Sequence, residues 1–314
     1  MKLNTIYQGD FLENIKNIPN ESVDLVVADP PYNVGKDYGN NSDKMSRLEY
    51  KDFTKKWITE CHRVLKTNGT FYTFGGKKNI ADMYVFMEEL GMENISWIIW
   101  HYTQGQGKRI GSSSRHDDIL MFAKGDKYLF NLDNIRIPQK HYRSINNMRG
   151  ANPGDVWNLS HIHYSEASRT KHPTQKPHAL YERMILASSN KGDTILDPFA
   201  GSGSALQVAK HTQRNFIGFE MEEDYIAIIN KNLQGDIKYF NSYFTELLRV
   251  PQGLKKEILL EYLHYHRFWF LEKYHSNLID EVEENIEKSY GHDILNMYRK
   301  SMFDFTNTPS FLKK

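Results

Sequence analysis

Thr194-Ile195-Leu196-Asp197-Pro198-Phe199-Ala200-Gly201-Ser202-Gly203-Ser204 carries an apolar run into a glycine-rich turn, and helical spacing continues from Ser204 to Lys210. Phe216 to Glu220 then turns apolar again, so the spacing predicts a strand–helix–strand unit. A second such unit opens the chain. Residues 3–7 and 22–28 read as short strands, and Phe11, Leu12, Ile15 and Ile18 between them keep helical spacing up to Pro19. Repeated units of this kind predict an α/β fold with a mostly parallel sheet and helices on both faces.

Working outward, a helix is predicted from Glu49 to Lys66, with Phe53, Trp57, Cys61, Val64 and Leu65 on one face and Asn68-Gly69 ending it. Thr70 to Phe74, residues 95–102 and Ile119 to Ala123 read as further strands, and a helix begins at Pro177. Residues 125–170 lose periodicity. From about residue 246 the pattern becomes helical, through Leu259, Leu263, Phe270 and Leu271 and then Leu278, Ile279, Val282 and Ile286.

Composition narrows the classes. The 314 residues hold 40 Lys and Arg against 39 Asp and Glu, a net charge of +1, and one cysteine. A disulfide framework and a four-cysteine zinc site are therefore excluded. Cys61 falls on the apolar face of its helix and reads as a small core hydrophobe. His161 and His163 stand two apart without Cys or carboxylate support, so no metal site is expected. The N-terminus has no apolar run of signal-peptide length, and no apolar run reaches the roughly 20 residues of a membrane span. The expectation is a cytoplasmic protein without a membrane partner.

The near-zero net charge hides a segregation. Residues 101–180 hold 12 basic and 6 acidic side chains, with seven of the 13 histidines. Lys108, Arg109, Arg115, Arg136, Lys140, Arg143, Arg149 and Arg169 are interleaved there with Tyr102, Tyr128, Tyr142 and Trp157. Cations neutralise phosphates and flat rings contact bases, so these basic residues are candidates for DNA binding. A solvated loop with an excess of charge is the bland alternative.

Two motifs carry chemistry. Asp29-Pro30-Pro31-Tyr32 follows the apolar run Val23 to Ala28, and so stands at the carboxyl end of a buried strand, where open α/β sheets bind ligands. Each proline fixes its own φ and restricts the residue before it. The Asp29 carboxylate and a backbone carbonyl can thus form a rigid pair of acceptors for an amine on a conjugated ring, with Tyr32 as a stacking surface. The same tetrapeptide also suits an ordinary strand-ending turn. The second motif is Asp197 to Ser204, with Glu220 placed to accept hydrogen bonds from ribose hydroxyls. Neither a phosphate-binding GxxxxGK[ST] loop nor the third glycine of the dinucleotide fingerprint is present. A cofactor with a ribose but no pyrophosphate fits better, and S-adenosylmethionine (AdoMet) is the common one.

Together these stretches resemble the DNA amino-methyltransferases, which methylate the exocyclic nitrogen of adenine or cytosine. Four segments carry the resemblance: Gly9-Asp10, Asp29 to Tyr32, His172-Pro173-Thr174-Gln175-Lys176-Pro177, and Asp197 to Gly203 with Glu220. Their order resembles the beta class, over roughly residues 3–235. The resemblance implies that Asp10 meets the adenine of AdoMet and Glu220 its ribose, while Asp197, Phe199, Gly201, Ser202 and Gly203 meet its methionine half. It places Thr174, Gln175 and Lys176 beside the methionine end and gives Asp29, Pro30, Pro31 and Tyr32 the flipped target base. Residues 1–124 and 171–245 become a catalytic AdoMet-binding domain of methyltransferase fold, 125–170 an irregular target-recognition region, and 246–314 a helical C-terminal extension.

The expected reaction is site-specific methylation of adenine N6 in double-stranded DNA, as in restriction–modification. Adenine is preferred because the family's cytosine enzymes more often carry Ser where Asp29 stands, and N4-cytosine methylation is the first alternative. RNA methylation and a catalytically silent DNA-recognition subunit are the others. Methylation at cytosine C5 is set aside, because it needs a cysteine nucleophile and Cys61 belongs to a helix face. A cognate restriction endonuclease and a homodimer remain open as partners.

Overall fold

The computed structural model describes residues 1–35, 44–102, 105, 107–137, 150–159, 161–162, 169–235, 237 and 279–300. The chain divides into two units, Met1–Asn134 with Gly154–Lys238, and Ile135–Pro153 with Tyr239–Lys314.

The first unit is built on one eight-stranded sheet. Its strands are β1 (Thr5–Gln8), β2 (Val23–Ala28), β3 (Leu65–Gly75), β4 (Glu93–His101), β5 (His116–Ala123), β6 (Val156–Asn158), β7 (Thr194–Asp197) and β8 (Asn215–Glu220), in the spatial order β1-β8-β7-β2-β3-β5-β4-β6. Every neighbouring pair is parallel except those of β5, which runs antiparallel to both β3 and β4. The mostly parallel α/β sheet expected from the sequence is therefore present. β7 is buried along its whole length and β2 everywhere but Asp24, as strands covered on both faces must be. Asp24 sits at the strand's rim, where it binds the Lys66 ammonium at 2.6 Å and accepts the Thr194 N–H at 2.9 Å.

The helices of this unit are α1 (Phe11–Asn14), α2 (Arg47–Val64), α3 (Ile80–Glu89), α4 (His178–Ser188), α5 (Ser204–His211) and α6 (Glu223–Asn232). Ser46 and Glu49 form a reciprocal capping box that starts α2. Tyr50, Trp57, Ile58, Cys61 and Val64 then recur on its inner face and join a core with Phe71, Met83, Phe122 and Phe219. Cys61 is fully buried there, as its place on the apolar stripe predicts. The helix ends two residues earlier than Lys66, because Leu65 already pairs with Val23 as the first residue of β3. Asn68-Gly69 therefore lies inside β3, where Asn68 takes φ 68° and the pairing with β2 shifts register, and does not terminate the helix.

Topology sets the place of the site. From β2 the chain moves outward to β3, whereas from β7 it moves the other way to β8, so the strand order reverses between β7 and β2. The carboxyl ends of β1, β8, β7 and β2 share one edge of the sheet and end at Gly9-Asp10, Glu220, Asp197 and Asp29. That edge is where open α/β sheets hold ligands.

In the second unit, Ile137 and Ala151 form an antiparallel bridge, and α7 (Ile279–Tyr290) turns at Gly291 (φ 83°) into α8 (His292–Lys300). The Arg299 guanidinium donates to Glu283 at 2.8 Å. The helical tail read from sequence thus has α7 and α8 within the described residues, while 246–278 and 301–314 lie outside them. Among the described residues no helix is long and apolar enough to cross a membrane.

Candidate functional site

A cavity of about 580 Å³ opens at this edge of the sheet, a volume suited to a nucleoside-sized ligand. Segments far apart in sequence line it: Gly9-Asp10, Asp29 to Tyr32, Thr174 to Lys176, Phe199 to Ser202, and Glu220. The motifs singled out in the sequence therefore face one space.

Asp29 follows the last residue of β2 with its side chain only 14% exposed. Burial pushes its carboxyl above the usual carboxylate range, and the nearby Asp117 charge adds to this; the Lys176 ammonium opposes both. Tyr50 donates its hydroxyl to the Pro31 carbonyl at 2.7 Å, and the Asn79 side chain donates to the Tyr32 carbonyl at 3.1 Å. Two of the motif's carbonyls are thus consumed in holding it rigid. Pro30 lines the cavity beside Asp29. Tyr50 and Asn79 escaped the sequence reading, since one looks like a core aromatic and the other like a helix-start residue. The Tyr32 hydroxyl is buried and close enough to Asp29 for burial and that charge to drive its pKa up, but it makes no well-formed hydrogen bond.

The glycine loop is held from behind. Gly201 adopts φ 53°, and a Cβ there would stand 2.9 Å from the His172 imidazole. Its N–H donates to Glu220 at 2.8 Å, and the other Glu220 oxygen accepts the amides of Met221 and Glu222 at 2.9 and 3.0 Å. Burial raises the Glu220 carboxyl, and these amides pull it back toward the charged form. Gly203, at φ 79°, lies off the cavity wall; a Cβ there would meet Ile229 of α6 at 2.9 Å. Phe199 lines the cavity with one side and packs edge-on to Trp57 at 5.4 Å with the other. Ser202 is buried, its hydroxyl 3.1 Å from that of Ser204.

Asp197 lies behind this loop, 3% exposed, and accepts the Phe199 N–H at 3.1 Å. Burial is the main force pushing its carboxyl up to about 8, with Asp29 and Glu220 adding like-charge repulsion. Asp10 caps α1, accepting the N–H groups of Leu12 and Glu13 at 2.6 and 3.3 Å. Gln175 accepts both the N–H and the hydroxyl of Thr170, at 2.7 and 2.9 Å. Lys176 reaches across to Asp29, with its nitrogen 2.9 and 2.8 Å from the two carboxylate oxygens.

The balance of charge tells what this space accepts. Five carboxylates line it (Asp10, Asp29, Asp117, Glu220 and Glu222) against two cations, Arg169 and Lys176, and Asp197 stands just behind. Such a lining repels phosphates, and the Gly201 N–H is already given to Glu220, so the loop is no pyrophosphate cradle. The residues fit a cationic nucleoside: carboxylates for hydroxyls and ammonium, and a loop that a larger residue at 201 would block.

The basic candidates are placed less uniformly. Lys108 and Arg109 are exposed, Arg115 is half-buried, and Arg169 lines the cavity with a long 3.4 Å contact to the Ile162 carbonyl. Arg136 belongs to the second unit, where it donates to the Gly150 carbonyl at 3.0 Å. Lys140, Arg143 and Arg149 lie outside the described residues. The Lys108 pKa is lowered chiefly by the neighbouring Lys77 ammonium, so these two cations converge. Lys77 follows the glycine pair at the end of β3, and Gly76 packs beside the Tyr32 ring. Sequence reading missed it because it lies outside the basic stretch. His161 lines the cavity 4.5 Å from the Trp100 ring and 4.0 Å from Tyr102; burial, and then Lys176, push its pKa down to about 4. His163, its neighbour in the sequence pair, lies outside the described residues.

Comparison with known proteins agrees with this geometry. The family model described as DNA methylase matches residues 23–231. The Type II methyltransferase M.HpaI of Haemophilus parainfluenzae is 47% identical over 306 residues, 96% of this chain and 97% of that protein. The DNA adenine methyltransferase YhdJ of Escherichia coli (strain K12) is 39% identical over 71% of this chain and 80% of its own length. Among solved structures, the M1.HpyAVI–SAM complex is 28% identical with a TM-score of 0.52, covering 73% of this chain and 99% of that one. From the matched residues and the extent of these similarities, the chain belongs to the N6/N4 DNA methylase family.

Proposed function

We propose that this protein transfers the methyl group of S-adenosylmethionine to the N6 amine of adenine at a specific site in double-stranded DNA. The observation that carries the reading is the opening of the Asp29 carboxylate and the Glu220-anchored glycine loop into one cavity. AdoMet, when bound, supplies a methyl carbon made electrophilic by the attached sulfonium. Glu220 and Asp10 would hold its nucleoside, while Asp197, Phe199, Gly201 and Ser202, with Thr174 to Lys176, would hold its methionine part.

The chain's own groups then have three tasks. Tyr32 offers a ring to a base turned out of the duplex, compensating part of the few kcal/mol that unstacking costs. Asp29 and the Pro30 carbonyl accept the two N–H groups of the target amine, drawing its lone pair out of conjugation and aiming it at the cofactor's side of the cavity. As the nitrogen acquires positive charge, the Asp29 carboxylate stabilises it electrostatically. No covalent enzyme intermediate is needed, which agrees with a site whose lining contains no nucleophilic cysteine. The relative named as an adenine methyltransferase supports adenine, and Asp29 in place of Ser agrees with it.

The exposed cations Lys108 and Arg109, with Arg115, Arg136, Lys140, Arg143, Arg149 and Arg169, are proposed to meet DNA. A cytoplasmic location, a cognate restriction endonuclease and a homodimer complete the proposal. Transfer of labelled methyl groups to unmethylated duplex DNA, but not to RNA of the same sequence, is the expected result; labelling of RNA alone would overturn the substrate class.

A further inference from the structure

The Lys176 ammonium lies 2.9 and 2.8 Å from the two oxygens of Asp29 and is itself only 6% exposed. It also stands over two aromatic faces, 5.0 Å from the centre of Tyr32 and 5.1 Å from that of Phe74. A lysine buried this way, anchored by two rings and an ion pair, has little freedom. Lys176 precedes Pro177 and α4, so its backbone is restricted as well. The three groups come from the ends of β2 and β3 and the entry to α4, 147 residues apart for the ion pair.

We propose that Lys176 is a positioning residue for the transfer step, holding the Asp29 carboxylate ionised and oriented so that its remaining lone pairs accept the target amine. An ionised carboxylate offers about four acceptor sites, so a lysine that uses one on each oxygen leaves one on each for substrate. A protonated Asp29 would present a donor to an amine that needs an acceptor. The inference rests on the methyltransferase reading and adds to it. Burial and, after it, the charge of Asp117 disfavour the ionised form of Asp29; the Lys176 ammonium is the cation set against them, the Tyr32 hydroxyl acts in the same sense as Lys176, and Tyr181 stands close enough to feel the Asp29 charge. His161 also feels Lys176 and is held neutral at physiological pH, so it supplies no second positive charge. Arg169 lines the same cavity, bonded toward the Ile162 carbonyl.

The test is the pH dependence of kcat at saturating AdoMet and DNA for the wild type, Lys176→Gln and Lys176→Arg. An opposite charge at this distance lowers a carboxyl pKa by about 1–3 units, so Lys176→Gln is expected to move the acidic limb up by about that much. Its kcat near pH 7 should fall at least about tenfold and partly recover in alkaline buffer. Lys176→Arg should keep the limb near its wild-type position. AdoMet affinity is measured by calorimetry alongside, since a residue that only bound cofactor would lose affinity and leave the acidic limb of kcat in place; that result would overturn the inference. Carboxyl 13C NMR of the wild type against Asp29→Asn gives a second readout that needs no Lys176 variant to fold. An ionised Asp29 at pH 7.5 supports the proposal, and a protonated one refutes it. Failure of the wild type to methylate DNA at any pH would instead count against the methyltransferase reading.

Discussion

Glu220 Oε2 accepts the backbone N–H of Gly201 at 2.8 Å, so the acidic residue at the end of β8 and the glycine loop after β7 form one hydrogen-bonded unit. The carboxylate proposed to bind the ribose therefore also fixes the loop that lies beside the cofactor. If Glu220 binds the cofactor as proposed, its affinity and the order of the loop should be coupled through this single side chain.

Glu220→Ala should then weaken AdoMet binding more than the loss of a ribose contact alone. A hydrogen bond to a charged group contributes about 1.5–3 kcal/mol, which corresponds to a loss of about 10- to 150-fold in affinity. Calorimetry with Glu220→Ala and Glu220→Gln separates the two effects. Gln retains an acceptor for the Gly201 N–H and should lose less.

AdoMet binding should release a proton. The Asp197 carboxyl stands at about 8, well above its ordinary 3.8, so the free protein holds it largely protonated at neutral pH. A cationic ligand in front of the loop favours the charged form, and affinity should rise with pH, by up to about tenfold per unit, until it levels off near pH 8. The sign for folding is opposite. A raised carboxyl pKa costs the free protein stability progressively as pH rises from about 4 to 8. Calorimetry in buffers of different ionisation enthalpy checks the first statement, and Tm against pH the second; Asp197→Asn should flatten both profiles.

Gly203→Ala should destabilise the fold even though Gly203 lies off the cavity wall. Its φ of 79° disfavours any L side chain, and the new Cβ would meet Ile229 at 2.9 Å. A loss of more than about 1 kcal/mol is expected from the backbone alone. Chemical denaturation of Gly203→Ala with and without Ile229→Ala separates the two causes, because the second substitution relieves only the steric part.

Lys77 and Lys108 should both contribute to DNA affinity. Their ammonium groups converge, Lys77 follows the Gly76 that packs beside the Tyr32 ring, and each ammonium that contacts a phosphate should add about one unit to the salt slope of binding. Titration of a duplex at several salt concentrations with Lys77→Ala and Lys108→Ala measures this. Unchanged slopes would remove the pair from the interface.

Much of this molecule was legible in its sequence, because buried parallel strands announce themselves as short unbroken apolar runs. Val23 to Ala28 and Thr194 to Asp197 were found for that reason, and the residues that end them face or underlie one cavity. The antiparallel direction of β5 was not legible, since Ile119 to Ala123 has the same composition whichever way it runs. Val156–Asn158 is too short to show a period. In α6 only Ile229 is buried, so it displayed no apolar stripe. Asn68-Gly69 looked like a helix stop because its left-handed backbone serves either a C-cap or a strand irregularity. The ion pair of Asp29 with Lys176 depends on a long-range approach that no local pattern encodes.

The most direct test of the central claim is mass spectrometry of nucleosides from unmethylated duplex DNA incubated with AdoMet and either the wild type or Asp29→Ala. N6-methyladenine with the wild type alone, while Asp29→Ala still binds AdoMet, is the predicted result. N6-methyladenine formed equally by Asp29→Ala would contradict the mechanism, and N4-methylcytosine in its place would contradict the assignment of the target base.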